Sequence, residues 1–172
     1  MDNSVLNISL KNGLPGNLVL SINRDKNRNL WIGSMNGLSL FQGFQLVHFT
    51  VEDGLPGKQV LAIKASPDNT LWIGGDGRGL AKVSVKNNKL ASQFFSPSSG
   101  FASTQVTSID IDNQGNLIVG THGEGIAIKQ ADKFRYLTSY DGLADDNINC
   151  VYWNSFGSIY AGTDVGYNEI KS

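Results

Sequence analysis

A three-point signature recurs four times along the 172 residues and leaves few folds open to the chain. Gly13-Leu14-Pro15-Gly16 returns as Gly54-Leu55-Pro56-Gly57, then as Gly100-Phe101 and as Gly142-Leu143-Ala144, at spacings of 41, 46 and 42 residues. Eighteen residues beyond each leading glycine stands a large strand-forming side chain: Trp31, Trp72, Ile118 or Tyr160. Two residues further on comes glycine again, as Gly33, Gly74, Gly120 and Gly162. Self-similarity at about forty residues marks a repeat architecture, in which each copy buries its apolar surface against the next.

Within the first copy, Leu18 to Asn23 alternates apolar and polar residues as a strand does, and Asp25-Lys26-Asn27-Arg28 reads as a turn. Leu30 to Gly33, Leu38 to Phe41 and Phe44 to Thr50 supply three more strands before Glu52-Asp53-Gly54 restarts the unit. The first turn needs a residue tolerant of positive φ, and Asn69, Gly115 and Gly157 provide one in the later copies. Arg28 holds that place in the first copy, where neighbouring Asn27 or another turn type is expected to absorb the strain. Four short strands per unit, with aromatic and glycine marks at fixed intervals, describe one blade of a propeller. The fold class is therefore all-β, a β-propeller of four-stranded antiparallel blades. The equivalent inner-strand residues Ser21, Ala62, Ser108 and Cys150 are small, and Cys150 is expected to be a buried small residue near the axis.

The repeats fall at about 12–52, 53–98, 99–140 and 141–172 of one propeller domain spanning 1–172. The last copy stops after three strands, while Val5 to Ser9 precedes Gly13 as Phe49-Thr50 precedes Gly54. Residues 5–9 are thus expected to complete the fourth blade and close a four-bladed ring, which would leave no edge strand open. The alternative is an arc of a larger propeller that self-associates, two copies making an eight-bladed ring; a homodimer is the partner expected in that case.

Charge narrows the functional classes. Fourteen basic and fifteen acidic side chains leave a formal charge of −1, which gives no electrostatic footprint for nucleic acid or an anionic membrane. One cysteine excludes an intramolecular disulfide and a multi-cysteine zinc site. No stretch reaches the eighteen apolar residues of a membrane-spanning helix, and Met1 to Leu10 lacks the basic and apolar regions of a signal peptide.

Asp53-Gly54-Leu55-Pro56, Leu71-Trp72-Ile73-Gly74 and Gly79-Leu80 resemble the two-component regulator propeller repeat family. The first copy matches through Gly13-Leu14, Val19, Ile22, Asp25, Leu30 to Gly33, Gly37-Leu38 and Phe49-Thr50. The third matches through Val106, Ile109, Asp112, Gly115, Leu117 and Gly120-Thr121. Ile118 and Tyr160 depart from the family tryptophan, and Gly100-Phe101 lacks the preceding aspartate. The resemblance implies the periplasmic sensor part of a membrane-spanning histidine kinase, of a type that senses breakdown products of complex glycans. Such propellers usually have more than four blades.

Propeller function resides in loops on a rigid scaffold. The loops between second and third strands share an end of the ring with the blade entries, and two of them gain a residue and charge: Gly75-Asp76-Gly77-Arg78 and Thr121-His122-Gly123-Glu124. Asn36, Asp76, Arg78, His122, Glu124 and Asp164 are the expected ligand-binding residues, ringing one mouth as a polar cup for a small polar ligand such as a saccharide. Lys58, Gln59, Thr104, Gln105, Asp146 and Asn147 would form its rim, and Tyr140 is a candidate aromatic platform. The glycine-rich loops each join strand to strand without a helix N-terminus, which argues against nucleotide binding, and no cofactor or metal is expected. A non-catalytic binding module is the leading reading. A second is an enzyme similar to the seven-bladed streptogramin lyases, with His122 as base and Glu124 as its helper. A third is a protein-interaction or self-assembly module.

Overall fold

The structure, a computed structural model, describes residues 5–171. Its strands form four antiparallel sheets, each a meander in chain order. The first blade is β1 (Val19–Arg24), β2 (Leu30–Ser34), β3 (Gly37–Gln42) and β4 (Gln45–Phe49). The second is β5 (Gly57–Ala65), β6 (Leu71–Gly77), β7 (Leu80–Lys86) and β8 (Lys89–Phe95). The third is β9 (Val106–Ile111), β10 (Leu117–Thr121), β11 (Ile126–Gln130) and β12 (Lys133–Leu137). The fourth has three strands, β13 (Ile148–Trp153), β14 (Ser158–Thr163) and β15 (Gly166–Lys171). The four-bladed, all-β propeller expected from the repeat is the architecture the chain adopts.

Each part of the sequence signature has a mechanical role. Before every blade, a Ser or Thr caps a single 3-10 turn whose last side chain accepts from the cap's own N–H, as Asp53 Oδ2 does from Thr50 N at 2.8 Å. The glycine that follows turns the chain through positive φ, and the next residue is buried: Leu14, Leu55, Phe101 or Leu143. Between β1 and β2, the buried Asp25 accepts from Asn29 N, Asn29 Nδ2 and the Trp31 indole Nε1 at 2.9–3.0 Å. Burial pushes the Asp25 pKa up, but these hydrogen bonds outweigh it and hold the carboxyl below its usual value. Asp112 ties the matching turn of the third blade through Gln114 N, Asn116 N and Asn116 Nδ2. In that turn Arg28, Asn69, Gly115 and Gly157 all have positive φ, of 70°, 66°, 85° and 93°. Arg28 thus takes the left-handed conformation itself, and no neighbour relieves it.

The blades pack face to face through three apolar seams. Trp31, Leu38, Leu40 and Phe49 meet Val60, Ile63, Leu71 and Ile73. Trp72, Leu80 and Phe95 meet Phe101, Val106, Leu117 and Val119; Ile118, Ile126 and Ile128 meet Ile148, Val151 and Ala161. The motif glycine sits where the next inner strand presses in: a Cβ on Gly33, Gly74 or Gly120 would lie 2.7, 2.4 or 2.7 Å from Val60, Val106 or Ile148. Near the axis, Asn23 Oδ1 accepts from Ala65 N, Lys64 pairs with Asp110, and Asp110 Oδ2 accepts from Trp153 N.

The closing strand expected at residues 5–9 does not form. These residues are in no strand, Val5 and Leu6 are 93% and 67% exposed, and β15 has no further neighbour among the described residues. Inner strands pack as β1 on β5, β5 on β9 and β9 on β13, with no comparable packing of β13 on β1, so the four blades follow an open arc. Cys150 is accordingly exposed and not buried, because its side of β13 has no blade over it, whereas Ala62 at the equivalent place is covered.

Two outcomes follow from this packing. Trp72 is buried against Phe95 in the second seam, so Trp72→Ala should cost about 3–5 kcal/mol in chemical denaturation. Asp68 is held down to about 2 by the Thr70 hydroxyl and N–H and by Lys82, against a partial burial that raises it. A carboxylate with a lowered folded pKa contributes stability above its unfolded value of 3.8, and loses that contribution as pH falls toward 2. Asp68→Asn should therefore lower the thermal midpoint slightly at neutral pH and flatten its decline between those two values; the effect is small because the side chain is half exposed.

Candidate functional site

The loops between second and third strands do lie at the same end of the arc as the blade entries, and the backbone joins them. Gly77 N donates to Thr104 O at 3.0 Å, and Gly123 N and Gly125 N donate to Asp146 O at 3.2 and 2.9 Å. Bridges pair Asp76 with Gln105 and His122 with Asn147. The extra residue in the second and third loops thus lets each loop reach the entry of the following blade and brace it. That structural use was not visible in the sequence, where the longer loops read as a feature that packing does not require.

The six candidate side chains do not all turn toward one mouth. The Arg78 guanidinium lies 5.2 Å from the centre of the Phe94 ring on the outer strand β8. Glu124 is close enough to Tyr136, on the outer strand β12, to raise that phenol's pKa beyond what burial does. Asp164 instead accepts from Asn149 Nδ2 on the inner strand β13 at 2.7 Å. Asn36 donates to Pro15 O and lines an open depression with Glu52 and Lys58. Asp76 and His122 are exposed on the loop face. His122 and Glu124 share no hydrogen bond among the described residues, so the base and helper of a lyase-like site are not paired here. No three His, Cys, Asp or Glu side chains among the described residues gather as a metal site would require.

Three further concavities lie at the other end, where each seam opens between the turns of adjacent blades. The cleft between the third and fourth blades, of about 340 Å³, is bordered by Asn113, Gln114, Arg135, Trp153, Phe156 and Lys171 among others. It combines amide donors and acceptors, two cations and two aromatic faces. Phe156 is 93% exposed in a turn whose equivalent positions are Asn27, Asp68 and Gln114. That single aromatic, replacing a polar turn residue in one copy of four, is the signal from which the sequence could have pointed to this cleft. Tyr140, the earlier candidate platform, is 99% exposed and borders none of the clefts described.

The sequence model of the two-component regulator propeller matches residues 13–36. No curated protein matches by sequence. Among solved structures, the extracellular domain of BT3049 from B. thetaiotaomicron, assigned to a hybrid two-component system, superposes with a TM-score of 0.75 at 25% identity over 92% of this chain and 22% of that one. PorZ, a surface component of the type-IX secretion system of Porphyromonas gingivalis, gives 0.72 at 20% identity over 91% of this chain and 26% of its own. Virginiamycin B lyase from Staphylococcus aureus shares the fold at 0.61 and 15% identity, over 90% of this chain and 55% of the lyase. This chain thus spans about a fifth of the BT3049 domain. The family model thus matches within the first copy, and the other three copies keep the same blade and register.

Proposed function

We propose that this chain is a non-catalytic sensor-type module in the extracellular or periplasmic region of a two-component signalling protein, and that it binds a small polar ligand such as a saccharide. The observation that carries the class is the matched repeat together with the likeness to the extracellular domain of BT3049. The chain itself has no helix, among its described residues, long and apolar enough to cross a membrane. A rigid scaffold of packed blades presenting variable turns suits recognition, since binding then costs little ordering of the protein.

Two surfaces compete for the ligand. One is the loop face bearing Asn36, Asp76, Arg78, His122, Glu124 and Asp164. The other is the cleft between the third and fourth blades, and its chemistry favours it: Trp153 and Phe156 offer flat faces to the C–H side of a sugar ring, while Gln114, Arg135 and Lys171 supply hydrogen bonds. A calorimetric titration series of oligosaccharides and small organic acids separates them. Phe156→Ala and Arg135→Ala should weaken binding roughly tenfold or more, with folding stability within about 0.5 kcal/mol of the parent, while Arg78→Ala and His122→Ala should bind normally. The reverse pattern would assign the ligand to the loop face. Absence of binding to any member of the series would overturn the ligand-binding reading, and turnover that stops in His122→Ala would replace it with a lyase.

A further inference from the structure

We propose that the cleft between the second and third blades is a binding site for a small oxyanion, a carboxylate, sulfate or phosphate group, held by Lys82 and Lys129 from its two walls. The cleft, of about 320 Å³, is lined by residues of those two blades alone, among them Ser66, Asp68, Trp72, Lys82, Gly115 and Lys129. That volume is at the lower end of small-ligand sites, roughly 300 to 1,000 Å³, and suits a free anion or the acidic group of one sugar unit. The proposal does not rest on a saccharide binding between the third and fourth blades.

Packing does not call for these lysines. In β7, Lys82 stands beside Trp72 of β6 as Leu40 of β3 stands beside Trp31 of β2. In β11, Lys129 stands beside Leu117 of β10 as Val83 of β7 stands beside Leu71 of β6. Leu40 and Val83 come from the two blades that meet in the first seam, where they are 4% and 0% exposed. The second seam puts an ammonium in place of each of these aliphatic side chains. Two like charges drawn toward one cleft weaken a seam unless anions lie with them.

Lys82 has its anion within the protein. Its Nζ lies 3.1 Å from Asp68 Oδ2, and the same carboxylate accepts from the Thr70 hydroxyl and N–H at 2.6 and 3.0 Å. Asp68 is thereby occupied. Lys129 has no such partner in the cleft. Its side chain is only 15% exposed, and its Nζ donates to Ala131 O. Asp132 stands 3.9 Å from that Nζ but is fully exposed, where water screens the pair. Among the described residues Lys129 thus has one hydrogen-bond acceptor for three N–H donors, and a charge this buried calls for an anion beside it.

The walls hold both ammonium groups in place for that role. Lys129 Nζ lies 5.9 and 6.0 Å from the ring centres of Phe95 and Phe134, and Lys82 Nζ lies 5.7 Å from that of Trp72. Aromatic faces attract a cation electrostatically and leave its N–H donors to other acceptors. Ala131 turns its carbonyl onto Lys129 from φ 51°, a left-handed conformation that Gly43 and Asn87 take at the same place in the first and second blades. Ser66 borders the cleft, and its hydroxyl makes no hydrogen bond among the described residues, so it adds a donor for an anion oxygen.

Sodium sulfate, sodium phosphate and sodium glucuronate, each compared with sodium chloride at matched ionic strength, test this by thermal midpoint and by calorimetric titration of the 172-residue chain. At least one should raise the midpoint beyond the chloride control, as a ligand of the folded state does. A response to sulfate and phosphate alone identifies a tetrahedral anion, to glucuronate alone a carboxylate, and to all three the shared oxyanion chemistry. Lys129→Met should weaken binding roughly tenfold or more while keeping or raising the midpoint in chloride, because an apolar chain of similar length replaces a buried, poorly paired charge. Lys82→Met, on the opposite wall, should weaken binding as well. No response beyond chloride, binding that survives in both lysine variants, or binding lost in Arg135→Ala in their place would overturn the proposal. Failure of saccharides to bind between the third and fourth blades would leave these outcomes unchanged.

Discussion

The close approach of each inner strand to the glycine of the preceding blade governs the rest of this molecule. Val60, Val106 and Ile148 press against Gly33, Gly74 and Gly120 at separations that no Cβ would tolerate. That contact sets the distance between blades, and the distance decides what fits beside it. Small residues follow on the inner strand, as at Ser21, Ala62 and Ser108, and large flat ones follow one place away, as at Trp31 and Trp72. Interiors this close-packed forfeit dispersion contacts when a gap opens, which is why the repeat tolerates Ile118 for tryptophan but keeps its glycine in every copy.

A seam has two unlike sides, and a blade presents one of each. Stability in such an array is close to a sum of units and nearest-neighbour interfaces, so interior blades gain twice from packing and terminal ones once. The first and fourth blades show the consequence in their exposed Ile22, Cys150 and Tyr167.

Rigid seams also divide the two ends of the arc by chemistry. At the loop end, backbone bonds from Gly77, Gly123 and Gly125 to the next blade entry hold the loops, and Arg78 lies over Phe94 of the outer strand β8. At the turn end, each seam opens into a cleft whose walls differ from copy to copy with the turn residues. Asn27, Asp68, Gln114 and Phe156 occupy one place and give clefts of quite different character.

The sequence by itself determined the blade count, the strand register and three of the four turns of positive φ, all but that at Arg28, because these depend on contacts within some forty residues and repeat with the chain. It also marked Trp31 and Trp72 as strand residues and Asp25 as part of a turn. Only the tertiary structure decided that residues 5–9 leave β15 unpaired, since closure depends on the small rotation from blade to blade, summed over the array. The exposure of Cys150 followed from that same open end, in a residue whose local sequence is indistinguishable from its covered counterparts. The course of Arg78 depended on Phe94, sixteen residues away in the chain, and on a loop pinned to the next blade. Periodicity encodes what each unit does with its neighbour; where a long side chain comes to rest, and whether the last unit finds a neighbour at all, is settled by the assembled geometry.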